Sequence, residues 1–264
     1  MKKGKNMINK NVNDFINEIS NIDDIVSIVL GGSMANDCSD NISDYDFYIY
    51  SSNKINPETR IKIFLKHCKY YEIGHDFWEL GDNGILNCGI EIEIIYRDLQ
   101  FLENYVANVI EKCIPNIGFT TCFWHNVLTS KIIYDKNDYY KKMKERFSIP
   151  YPKELKENII KRNMALLSGY IISYDKQIEH AVYRKDLVNI NNRISVFLAS
   201  YFDIIFAINE LQHPGEKRLI EICKNNSNIL PNKFEENISN LLNNEFNTME
   251  ILNSIIKKRK LPIA

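Results

Sequence analysis

Apolar and polar positions recur along this chain with two periods, and the switch between them divides it. Residues 6–20 place Ile8, Val12, Phe15, Ile16 and Ile19 at helical spacing, which predicts an amphipathic first helix. Ile25 to Leu30 is a short β-branched run stopped by Gly31, the pattern of a buried strand. Residues 44–50 alternate and predict a second strand, with Tyr45, Phe47 and Ile49 on its buried face. Pro57 opens a helix to about residue 69, with Ile61, Phe64, Leu65 and Cys68 on one side. Residues 70–80 read as a third strand, closed by a Gly81-Asp82-Asn83-Gly84 turn. Residues 88–96 alternate strongly, Ile90, Ile92 and Ile94 facing one way and Glu91 and Glu93 the other.

The helical period returns at 99–113 and at 119–134, the latter carrying Trp124, Val127, Leu128 and Ile132. A turn at 134–138 precedes a charged helix to about residue 147. Pro150 and Pro152, in Ser148-Ile149-Pro150-Tyr151-Pro152, block helix on both sides and mark a boundary. Beyond them the β signals vanish, and 153–183, 186–211, 215–226 and 232–258 read as helices. The second is the clearest: Ile194, Phe197, Leu198, Tyr201, Ile204, Ile205, Ile208 and Leu211 form one apolar stripe, ended by His213-Pro214-Gly215. With no internal repeat or low-complexity tract, the layout is an α/β half followed by an all-α half.

Composition narrows the class. At 264 residues the chain exceeds the usual single-domain size, so two domains are expected. A formal net charge of −1 supplies no global field for a polyanion. The basic clusters at 1–5, 141–146 and 257–260 are short enough to be solvated ends and helix faces, which argues for a small substrate and against nucleic acid. Six cysteines, at 38, 68, 88, 113, 122 and 223, contain no C-x-x-C pair and suit a reduced compartment. Asn9, Lys10, Asn11 and Asn13 stand where a secretory signal would need an apolar core, and no stretch approaches the ~20 apolar residues of a membrane span. A cytoplasmic protein without a membrane partner is expected.

The chemistry gathers between residues 30 and 50. Asp44 and Asp46, two positions apart on a strand, share a face with their carboxylates ~7 Å apart, within reach of bridging one or two Mg²⁺ ions. Alone, such a pair is equally a set of solvated acids on an edge strand. Gly31 and Gly32 permit close backbone approach to a phosphate, and Ser33 adds a hydroxyl and an amide. Alone, that is equally a plain strand-to-helix turn.

Together the pieces form a pattern: Leu30, Gly31, Gly32-Ser33, ten intervening residues, then Asp44-Tyr45-Asp46-Phe47. This resembles the nucleotidyltransferase superfamily of the polymerase-β type. The resemblance implies an α+β fold, with a nucleotidyltransferase domain (a small mixed sheet with flanking helices) over residues 1–149 and an all-α, substrate-binding bundle over 150–264. It also implies a third carboxylate on a later strand. Ile92-Glu93-Ile94-Ile95-Tyr96, followed by a helix, looks like that strand in the aminoglycoside nucleotidyltransferases, which makes Glu93 the third ligand and Glu91 a fallback ligand or general base. The implied reaction is in-line attack of a hydroxyl on the α-phosphate of a nucleoside triphosphate with two Mg²⁺ ions bound. One departure is Asp37, which stands where the family's Gly-Ser-x-Ala-x-Gly run ends in glycine.

The helical half resembles the substrate-binding domain of aminoglycoside and lincosamide nucleotidyltransferases. Its segment from Phe206 to Arg218 looks like one recurring in such proteins, which implies that Lys217 and Arg218 reach the β- or γ-phosphate; a solvated basic pair is the alternative. Arg184 and Asp186 either line a cleft or cap a helix. His67, His75, His125, His180 and His213 show no metal-ligand spacing, and Trp78 and Trp124 are expected in the core or a domain interface. Ser33 has no His or acid placed to activate it as a nucleophile. The expected activity is transfer of a nucleoside monophosphate, AMP from ATP, to a hydroxyl of a small molecule, an aminoglycoside or lincosamide being the first choice. The alternatives are a toxin or signalling enzyme that nucleotidylates a protein or tRNA, and a nucleotide-binding pseudoenzyme. The resemblance further implies a homodimer that shares the acceptor site.

Overall fold

The computed structural model describes residues 8–32 and 44–243. They belong to two compact units, one drawn from the chain up to Tyr105 with Asn126–Ser148, the other from Val106–His125 with the chain from Ile149 onward. The fold is α+β.

In the first unit, helix α1 (Lys10–Ser20) starts where the Asn9 side chain accepts a hydrogen bond from Asn11 N at 2.9 Å. It buries Val12, Phe15, Ile16 and Ile19, its helical stripe. Strands β1 (Ile25–Leu30) and β2 (Tyr45–Ser51) follow. Helix α2 (Pro57–His67) is capped by Asn56 with proline in its first turn. Strands β3 (Cys68–His75), β4 (Gly81–Leu86) and β5 (Glu91–Asp98) lead to helix α3 (Leu99–Ile110). After helix α4 (Cys122–Thr129) come strand β6 (Lys131–Asp135), a 3₁₀ turn at Lys136–Asp138 and helix α5 (Tyr139–Arg146).

The six strands form one mixed sheet in the order β3-β4-β5-β2-β1-β6. Among the described strands only β2 and β5 run parallel, and every other neighbouring pair is antiparallel. One face packs Ile28, Leu30, Tyr45, Phe47, Ile49, Ile92 and Ile94 against Phe15, Ile16, Ile63 and Phe64 of α1 and α2, in one continuous core. At roughly 25 cal/mol per Å² of apolar area, each fully buried Ile or Phe contributes about 2 kcal/mol before chain entropy is counted. The opposite face is polar at the start of β2 and aromatic towards its end.

Two elements of this unit differ from the sequence expectation. Gly81-Asp82-Asn83-Gly84 is not a turn but most of β4, paired with β3 on one side and β5 on the other. The reason is tertiary: Asp82 is fully buried and accepts from Arg60 Nη1 at 2.6 Å, Gly74 N at 2.8 Å and Tyr96 Oη at 2.7 Å. A Cβ at Gly84 would stand 3.0 Å from Cys68 Sγ and Phe64 Cε1, so glycine here admits α2 close to the sheet. The second difference is β6, expected as helix. The helix stops at Ser130, and Lys131–Asp135 pairs with β1.

In the second unit, helices α6 (Lys153–Leu167), α7 (Tyr174–Tyr183), α8 (Leu187–Ile208), α9 (Leu219–Asn226) and α10 (Phe234–Leu242) follow the prolines. The helix expected over 153–183 is two helices, parted near Gly169, whose φ of 103° a helix cannot hold. Every residue of α8 from Ser200 to Ile208 is buried, so this helix is surrounded rather than amphipathic at that end. It carries Phe197, Tyr201, Ile204 and Ile205 into a core shared with Leu167, Ile178, Phe234 and Ile238. The expected helical residues beyond 243 lie outside the described part. Among the described residues no helix is long and apolar enough to cross a membrane.

Candidate active site

β2 and β5 position the acidic residues. Their parallel register sets Asp46 opposite Glu93 and Tyr45 opposite Ile92. Cα atoms of such neighbours lie about 4.8 Å apart and their side chains leave the same face of the sheet. Tyr45, Phe47, Ile92 and Ile94 are buried on the other face, so the two carboxylates point away from the core. Glu91, the first residue of β5, precedes Glu93 by one strand period and is exposed. Asp44 stands immediately before β2 and is also exposed. The structure thus brings Asp46, Glu93 and Glu91 to one side of two adjacent strands, with Asp44 at the leading end.

β1 delivers the glycines to the same place. Gly31 N donates to the Asp46 carbonyl at 2.8 Å, extending the β1–β2 pairing by one residue. A Cβ at Gly31 would lie 2.4 Å from Tyr48 Cε2, and a Cβ at Gly32 only 1.7 Å from Asp46 Oδ2. Gly32 also has φ +62°, in the left-handed region. Side chains that β2 presents on its polar face thus crowd both positions, and at Gly32 the backbone conformation itself favours glycine. Ser33 and Asp37 lie outside the described residues.

Behind Asp46 on this face are Tyr48 and Tyr50. The Arg97 guanidinium lies 4.1 Å from the centre of the Tyr48 ring. Glu79 holds Arg97 through two hydrogen bonds, Nε to Oε1 at 2.7 Å and Nη2 to Oε2 at 2.6 Å. Burial pushes the Tyr48 phenol above its ordinary range, against the opposing pull of Arg97. Tyr50, packed on Tyr140 with ring centres 5.3 Å apart, is pushed by burial to about 12. Both phenols are neutral at physiological pH. Sequence reasoning missed this layer, although the alternation in Asp46-Phe47-Tyr48 already puts Tyr48 on the side of Asp46.

The remaining candidates are elsewhere. Lys217 and Arg218 are exposed residues of the second unit, just ahead of α9. Arg218 has a left-handed backbone, φ 58°, and lines a cleft of about 710 Å³ with Phe202, Lys224 and Glu235. Asp186 caps α8, accepting from Asn189 N at 3.1 Å, and Arg184 ends α7. His67 lies 2.7 Å from Glu18 Oε2. His213 is fully buried between Phe119 and Phe206, 4.8 Å from each, and burial pushes it down to about 3. Trp124 is a core residue, but Trp78 is not: it is 95% exposed in the connection between β3 and β4.

Among the described residues no three Asp, Glu, His or Cys side chains gather into a metal-holding set. The oxygen donors that are juxtaposed are Asp46 and Glu93. Two hard carboxylates on one sheet face, beside a turn whose backbone can come close, fit a divalent cation and a polyphosphate.

No family model matches the chain, and no curated protein matches it. Solved structures do. A nucleotidyltransferase-like protein from Exiguobacterium sibiricum is 11% identical, with 94% of this chain and 71% of that one covered at a TM-score of 0.46. An aminoglycoside 6-adenyltransferase from Bacillus subtilis is 10% identical over 93% and 86% of the two chains, at 0.30. A spectinomycin adenyltransferase from Enterococcus faecialis, solved with ATP and spectinomycin, is 13% identical over 92% and 98%, also at 0.30.

Proposed function

We propose that this chain is a Mg²⁺-dependent nucleotidyltransferase that moves AMP from ATP to a hydroxyl of a small molecule, an aminoglycoside or lincosamide antibiotic, with release of pyrophosphate. The observation that carries the reading is the register that sets Asp46 beside Glu93, with the Gly32 backbone against the Asp46 carboxylate. Both carboxylates face away from the core, and the turn tolerates no side chain where it meets Asp46.

Asp46 and Glu93 would hold the metal, and Asp44, exposed at the start of the strand, would have to turn towards them to join the set. Bound there, Mg²⁺ supplies charge that lowers the pKa of a hydroxyl nucleophile and offsets the charge of the phosphates. The chain's own groups do the rest. Gly31 and Gly32 leave room for backbone to meet the triphosphate. Glu91, one strand period from Glu93, accepts the proton that the attacking hydroxyl loses.

The test is incubation of the purified chain with each α-labelled nucleoside triphosphate, Mg²⁺ and a panel of aminoglycosides and lincosamides. Labelled drug and an equal amount of pyrophosphate are expected with ATP. Labelling of protein or tRNA, with every drug untouched, would remove the small-molecule acceptor.

A further inference from the structure

We infer that Tyr48, held by the Arg97–Glu79 pair, is a positioning residue for the Asp46 carboxylate and the Gly31-Gly32 turn. The inference rests on the nucleotidyltransferase reading in so far as the positioned groups serve metal and nucleotide.

Tyr48 is the next residue of β2 on the same face, so its ring flanks the carboxylate along the strand. On one side of the ring lies Gly31, so close that even a methyl group there would stand 2.4 Å from Cε2. The guanidinium of Arg97 lies over the ring, 4.1 Å from its centre. Arg97 is fixed in turn by the two-pronged hydrogen bond that it donates to Glu79, and its side chain is only 11% exposed. A fork-to-fork Arg–carboxylate pair has a set plane, so the guanidinium cannot slide off the ring without breaking a bond. The Tyr48 ring is therefore a fixed surface, and the glycine turn is laid against it.

The turn connects back to the acid. Gly31 N donates to the carbonyl of Asp46, and Gly32 touches the Asp46 carboxylate. Any movement of Tyr48 shifts the wall that fixes Gly31, and Gly31 and Gly32 set where the Asp46 side chain can stand. A phenylalanine keeps that wall, because the contacts to Gly31 and Arg97 are made by the ring. A leucine does not. Groups one contact removed from a metal ligand commonly change metal affinity by 10- to 100-fold, which is the scale expected here.

Mn²⁺ affinity by electron paramagnetic resonance and exchange of the Gly31 amide by NMR test the inference in wild type, Tyr48→Phe, Tyr48→Leu and Glu79→Gln. Each variant is first checked for native circular dichroism. Tyr48→Phe is expected to match wild type in both readouts. Tyr48→Leu is expected to bind Mn²⁺ about 10-fold more weakly or worse and to exchange Gly31 faster, with Glu79→Gln following in the same direction. A folded Tyr48→Leu with wild-type affinity and exchange overturns the inference. If that variant does not fold, Glu79→Gln decides on the same two readouts. If wild type binds no Mn²⁺ while loss of the ring still speeds Gly31 exchange, the nucleotidyltransferase reading falls and the positioning of the Asp46 strand by Tyr48 stands.

Discussion

Replacing Gly32 by alanine perturbs the candidate site with a single methyl group, and the structure sets the size of the effect. The new Cβ would begin 1.7 Å from Asp46 Oδ2, whereas real Cβ atoms stay at least 3.0 Å from other heavy atoms, so the carboxylate or the turn moves by 1.3 Å. The backbone at φ +62° adds roughly 1–2 kcal/mol for an L side chain in the left-handed region. The fold survives this, because the turn lies outside the core formed by α1, α2 and the sheet. The chemistry does not. A displacement of about 1 Å at a reacting centre can cost roughly 100-fold in rate, so Gly32→Ala should lose about two orders of magnitude in nucleotidyl transfer while its melting temperature falls by only a few degrees. Initial rates of pyrophosphate release at saturating Mg²⁺, measured beside a thermal melt of the same sample, make the comparison. A Gly32→Ala protein that works at the wild-type rate would refute the reasoning, since the Asp46 carboxylate could then move 1.3 Å without consequence.

Two further predictions concern buried polar groups. Asp82→Ala strips Arg60 of its buried partner and should cost about 3–5 kcal/mol in urea unfolding, and adding Arg60→Leu should recover part of it; a double variant whose loss equals the sum of the two single losses would show that the pair is not coupled. In the second unit, burial pushes the Asp203 carboxyl up to about 6, against hydrogen bonds from Thr120 N and Oγ1 and Asn163 Nδ2 that pull it down. A raised carboxyl pKa means the fold prefers the protonated form, so the contribution is complete below the ordinary 3.8 and lost as pH rises through about 6. Relative to Asp203→Asn, wild type should therefore lose roughly 2 kcal/mol between pH 4 and pH 7.5, and a difference that stays flat across this range would contradict the assignment.

Much of the fold was legible because its elements are locally consistent. The stripe Val12, Phe15, Ile16, Ile19 gave α1, and the alternation around Asp46 and Glu93 correctly put their neighbours in the core. What failed depended on partners distant in sequence. Asp82 reads as a turn residue until Arg60, Gly74 and Tyr96 surround it, and the turn-like segment around it is then a central strand. Ile132 continues the helical spacing of Trp124, Val127 and Leu128, but the open edge of β1 takes it as strand β6. At the candidate site the acids and glycines were visible one by one. Their juxtaposition was not, because the parallel pairing of β2 with β5 and its register are set by packing on α1 and α2. Trp78, expected indoors, is exposed because the β3–β4 connection projects it from the sheet.

The central claim, that Asp46 and Glu93 together hold the metal of a nucleotidyl-transfer site, is tested most directly by anomalous scattering from crystals grown with Mn²⁺ and a non-hydrolysable ATP analogue. The account predicts a peak bonded to both carboxylates, with the α-phosphate beside it. A nucleotide and metal bound elsewhere, with Asp46 and Glu93 left in solvent, would contradict it.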